Sequence, residues 1–243
     1  MTMVQWVAII IGAIIAGMIH TITGFGAGVL LIVILSNFYT MLAAPAINTS
    51  ICLGLTVALT WKYRKLIRPR LIILPAIVYA AVSVSIIRFI HLFDLRLLAL
   101  SFGMFLILLS IFLLFFIRRT HLKGNTPTAI LAAGVSGLFS GLFGVGGPIM
   151  GLYLINVTDD HESYLANLEF LFTITNIINL TARAVRGIYT VDLVPVSLVG
   201  IGAVFLGIYM GTWVYRKINV TLLKTIVYIF VGISGIVTLI QHL

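Results

Sequence analysis

GMIHTITGFGAG (residues 17–28) and GLFSGLFGVGGP (residues 137–148) lie 120 residues apart, each inside a hydrophobic run too long to be one membrane helix. Residues 3–36 and 127–157 are almost wholly apolar. As straight helices they would reach about 48 Å, against a hydrocarbon core of about 30 Å. Glycine costs about 1 kcal/mol in a helix interior relative to alanine, and Pro148 lacks a backbone donor. Both runs therefore read as broken helices. Divided in the middle, each arm would be near 21 Å, too short to cross alone. Six further segments span simply: 41–62, 70–90, 95–117, 164–186, 190–214 and 220–241.

A shift of 120 lays Gly17 on Gly137, Gly24 on Gly144, Gly26 on Gly146, Pro75 on Pro195 and Arg96 on Arg216. The chain thus reads as an all-α polytopic membrane protein of two homologous halves, residues 1–123 and 124–243. Each half is a broken element followed by three transmembrane helices. Re-entrant elements would give three spans per half and inverted repeats, while crossing elements would give four spans and parallel halves. Loop charge fits the two arrangements almost equally, and arm length favours the inverted one.

Composition supports a lipid solvent. Of 243 residues, 61% are hydrophobic and 9% charged, with mean hydropathy +1.22, more apolar surface than a soluble domain can bury. The net charge of +9 is loop charge, gathered in clusters such as Lys62 to Arg70 and Arg216 to Lys224. No basic face interleaved with aromatics suits nucleic acid. The reading is a multi-pass protein of the cell membrane whose partners are the lipid bilayer and a small anion, with a homodimer left open. A single cysteine, Cys52, excludes an intrachain disulfide. GFGAG and GVGGP lack the preceding strand of a dinucleotide fingerprint, and no Gly-Lys-Ser/Thr phosphate loop occurs. No cofactor or metal is expected, since Asp159-Asp160-His161-Glu162 has no helical ligand spacing and reads as a solvated loop.

At membrane depth, backbone groups freed by a break must face protein, water or ligand. Half-helix N-termini meeting there can face an anion, which nominates Thr21, Thr23, Gly24, Gly26 and Gly28 with Gly144, Gly146, Gly147 and Pro148. The competing reading is close helix packing across small residues. Asn48 and Thr49, which follow Pro45 in the next span, are nominated with the tracts as anion-binding residues. Asn176, Asn179 and Arg183 form a polar stripe on one helix face, suited to an anion path or to interhelical hydrogen bonds. His20 and Glu169 are ionisable groups inside apolar helices and candidates for proton coupling. Each could instead serve a local hydrogen bond or ion pair.

The paired tracts, the three helices that follow each, and above all AGVSGLFSGLFGVGGPIMGLYLI (133–155) resemble the sulfite exporter TauE/SafE family of permeases. The first tract departs from the pattern, with Ala27-Gly28 where the second has Gly147-Pro148. The resemblance implies transport of sulfite, sulfonates or related organic acids. Composition and spacing alone support secondary transport of a small anion, with an anion channel or a non-transporting scaffold as alternatives. An intramembrane enzyme would need a Ser/His, paired-Asp or His-Glu-x-x-His arrangement within the spans, and none is present.

Overall fold

The computed structural model describes residues 3–116, 124–214 and 220–243. Helix breakers and caps divide these into ten α-helices. The first five are α1 (Met3–Thr23), α2 (Ala27–Leu35), α3 (Ala43–Tyr63), α4 (Pro69–Phe89) and α5 (Leu95–Ile111). The others are α6 (Thr126–Phe143), α7 (Gly147–Val157), α8 (His161–Val185), α9 (Val194–Val214) and α10 (Val220–His242). No strand occurs among the described residues.

Loop residues set the boundaries. Pro69 opens α4, where its missing N–H costs nothing. Asp94 caps α5 through the N–H groups of Arg96 (2.7 Å) and Leu97 (3.1 Å). Asp160 caps α8 through Ser163 N–H at 2.8 Å, while Asp159 pairs with Arg68 at 2.9 Å. Half of the acidic cluster is thus a helix start and a loop ion pair.

The six simple spans fall where hydropathy places them. The broken elements do not divide in the middle. Left-handed glycines end the first arms late, at Gly24 (φ 77°) and Gly144 (φ 71°). At 1.5 Å per residue, the 21 residues of α1 reach about 31 Å and the 18 of α6 about 27 Å. The expectation of two arms too short to cross is therefore corrected: α1 and α6 join the simple spans, making eight helices long and apolar enough to cross a membrane among the described residues. Only α2 and α7 remain short, at 9 and 11 residues.

Packing follows a two-fold pattern. α1 lies on α9 as α6 lies on α4, α3 on α9 as α8 on α4, and α3·α8 and α5·α10 pair across the centre. α3 and α8 run antiparallel: Ser50 meets Tyr189 (3.1 Å), Thr60 meets Thr173 (2.9 Å), and Arg68 N–H donates to Asn167 (2.8 Å). α5 and α10 are antiparallel too, with Ser110 donating to the Tyr228 carbonyl (2.7 Å) and Arg96 Nε to that of His242 (2.7 Å). The sequence register slips along the chain. The broken elements match at a shift of 120, but α4 and α9 start 125 residues apart. Pro75 is accordingly inside α4, whereas Pro195 is the second residue of α9, so these two are not equivalent. Arg216 lies outside the described residues.

Gly17 and Gly137 take the packing role. A Cβ on Gly17 would press on Gly207 of α9 (3.2 Å), and one on Gly137 on the Tyr79 backbone of α4 (2.6 Å). Facing outward, Leu131 (69% exposed) and Ile240 (70%) carry bare aliphatic surface that suits hydrocarbon.

Candidate functional site

The two glycine tracts meet. Gly26 and Gly28 of the first and Gly144, Gly146, Gly147 and Pro148 of the second line one cavity of about 50 Å³, several times the 10–15 Å³ or so that a water needs. His20, Cys52, Thr56, Tyr79, Phe172 and Asn176 contribute to the remaining wall.

Two helices begin at this cavity. Gly26 precedes α2, and the Leu30 N–H is the first to return to Gly26 O (3.1 Å). The N–H groups of Ala27, Gly28 and Val29 therefore have no partner within their helix. Gly146 precedes α7, where Pro148 offers no donor but Gly147 and Ile149 do. Each start carries the positive end of a helix dipole. Gly146 also admits Tyr79, for a Cβ there would overlap the tyrosine hydroxyl and lie 2.7 Å from Ser136 O.

His20 and Glu169, 149 residues apart in sequence, form a buried pair at 2.7 Å (Nε2 to Oε1). His20 Nδ1 and Glu169 Oε2 are buried without a hydrogen-bond partner. Of the six acidic residues only Glu169 is buried, and its pair reaches the cavity through His20.

Other nominated residues take different places. Asn48 is fully buried behind the tracts, donating from Nδ2 to Gly28 O (3.0 Å) and Gly144 O (3.1 Å). Thr21 and Thr49 return their hydroxyls to their own helices, at Gly17 O (2.8 Å) and Pro45 O (2.7 Å). The Thr23 side chain lies outside the described residues. Gly24 packs against Tyr164 and Leu165.

The polar stripe on α8 divides. Asn176 reaches the cavity, but Asn179 is locked between α4 and α6, accepting from Ser83 (2.6 Å) and donating to Ser140 Oγ (3.1 Å). Arg183, fully buried, donates from one Nη to the carbonyls of Ser140 (3.1 Å) and Gly141 (2.8 Å). It thus sets a cation at the negative end of α6. Sequence reasoning missed Tyr79, Thr56 and Phe172 in the wall, and gave Cys52 no role there. Tyr79 alone had a usable signal, a polar-tipped aromatic inside a span.

Such an arrangement suits a small anion, which would meet N–H dipoles and an imidazole with no exposed carboxylate beside it. The family described as sulfite exporter TauE/SafE matches residues 9–238. No curated protein and no solved structure matches the chain significantly. With its spans and paired glycine tracts, the chain belongs to the sulfite exporter TauE/SafE family and is a multi-pass membrane permease.

Proposed function

We propose that the protein is a secondary transporter of the cell membrane that moves a small anion by alternating access, the anion being sulfite, an organosulfonate or a related organic acid. One observation carries this reading: helix starts from both broken elements, α2 and α7, converge on one cavity. Residues 1–123 and 124–243 act as inverted repeats about that cavity: α2 and α7 fold back along α1 and α6, with Ile34 against Gly12 and Val157 against Gly124, so each broken element crosses and returns before the three spans that follow it. The antiparallel pairing of α3 with α8 and of α5 with α10, and the exchange of α1·α9 for α6·α4, support this.

The anion takes the first-turn N–H groups around Gly28 and Gly147, with Asn176 and His20 at its side. His20 and Glu169 are the coupling pair. With Glu169 ionised and His20 neutral the pair is negative and opposes an incoming anion, and one added proton makes it neutral overall. An anion carried together with one proton on the pair then adds no net charge to the site.

Liposomes containing the purified protein test this with labelled sulfite and organosulfonates. Saturable uptake with counterflow is expected. Conductance without counterflow would make the protein a channel, and no saturable uptake of any anion would refute transport.

A further inference from the structure

Asn48 does not line the cavity, yet it holds both of its broken elements. Its one Nδ2 nitrogen donates to Gly28 O of α2 and to Gly144 O at the end of α6, while Oδ1 accepts from Cys52 Sγ at 3.6 Å. The amide's orientation is dictated by chemistry, because the opposite flip would set Oδ1 against two carbonyl oxygens. Gly144 ends α6 in the left-handed conformation. No further helical turn follows to receive its carbonyl. Left alone, that oxygen would present a negative dipole end in the wall of a cavity that Gly144 itself lines.

Resting on the transport reading above, we infer that Asn48 is the positioning residue that gives the cavity its preference for anions. It ties the tips of the two broken elements together and engages the Gly144 carbonyl from behind the wall. The N–H dipoles of α2 and α7 then face the bound ion unopposed. Asn48 does not touch the ion and acts through two glycines. The buried amides of α8 are engaged elsewhere, Asn167 with the Ser163 carbonyl (2.7 Å) and Asn179 with Ser140 Oγ (3.1 Å), so the clamp operates from α3.

Two measurements test the clamp and its consequence separately. A Cβ on Gly147 would stand 3.5 Å from that of Phe25, inside the separation of about 3.5–4.5 Å that a disulfide requires. In a chain carrying Cys52→Ala, the pair Phe25→Cys and Gly147→Cys should therefore cross-link under mild oxidation. Adding Asn48→Ala should slow that cross-link about tenfold, since two hydrogen bonds holding the tips are lost. In liposomes, Asn48→Ala in the otherwise native chain should raise the KM for the transported anion about tenfold, with turnover changed less than about threefold. Asn48→Thr, smaller in its polarity change, provides the same comparison if the alanine variant does not fold. Unchanged cross-linking would overturn the clamp. Slowed cross-linking with unchanged KM would overturn its role in selectivity, as would activity that falls only with the amount of folded protein. A native chain without saturable anion uptake would refute transport itself, while the cross-linking result would still report on the clamp.

Discussion

Gly146 and Gly147 are neighbours at the start of α7, and the same added methyl should do opposite things at the two. On Gly146 it would overlap the Tyr79 hydroxyl and sit 2.7 Å from the Ser136 carbonyl oxygen, a backbone atom that cannot rotate away. Overpacking of this kind costs about 1–3 kcal/mol. On Gly147 the nearest atoms are Phe25 Cβ at 3.5 Å and a Phe172 ring carbon at 3.8 Å, ordinary contact distances. There Gly→Ala should be neutral or stabilise by about 0.4–1 kcal/mol through the unfolded chain. At about 2–4 °C per kcal/mol for a chain of this size, Gly146→Ala should lower Tm by about 2–12 °C, and Gly147→Ala should leave it level or raise it by up to about 4 °C. Thermal unfolding in detergent, followed by tryptophan fluorescence, reads both. Gly147→Ala should nonetheless slow transport, because its methyl enters a cavity of only about 50 Å³. Equal destabilisation by the two variants, or a neutral Gly146→Ala, would refute the placement of Tyr79 over Gly146.

Glu169→Gln keeps a hydrogen-bond partner for His20 but cannot ionise; anion uptake should persist while the proton movement that accompanies it, read with a pH-sensitive dye inside the liposomes, is lost. Arg183→Ala leaves the carbonyls of Ser140 and Gly141 unmet in a buried place and should cost about 1–3 kcal/mol, seen as a lower Tm. Asp160, on the loop before α8, has its carboxyl held below the usual carboxylate range by the Ser163 N–H and hydroxyl. Its contribution is therefore present at neutral pH and lost as pH falls through the acid range, below about pH 4. Asp160→Asn, which still caps the helix, should flatten that part of a Tm-against-pH curve.

Hydropathy made the spans legible because each of the six simple ones is bounded by charge, proline or a capping aspartate. The positions of the breaks were less so. Composition locates an interruption, whereas the residue that turns left-handed decides where the arm ends, and Gly24 and Gly144 do so late. The repeat was readable at the glycine tracts and drifted beyond them, since nothing in an apolar helix marks a slip of five residues between α4 and α9. His20 and Glu169 each stood out as ionisable groups in apolar surroundings, but their meeting depends on how α1 packs near α8. Asn179 and Arg183 share a face with Asn176, yet α4 and α6 cover that face at one end and leave it open at the other. Periodicity shows which residues are aligned and says nothing about which stretch of the alignment a neighbouring helix occupies.

The His20–Glu169 pair has no twin. At the broken elements' shift of 120, Ser140 and Thr49 occupy the corresponding positions, and neither can carry charge. Two identical halves of opposite orientation would relate the two faces of the proposed carrier by a two-fold rotation, making them equal in energy and in apparent affinity. In the transport cycle proposed above, one ionisable pair on one side would remove that equality: the resting distribution between the two facings would shift with pH, and half-saturation would differ between the two sides of the membrane. The maximal fluxes in the two directions would then differ as well, in the ratio that keeps net movement zero at equilibrium.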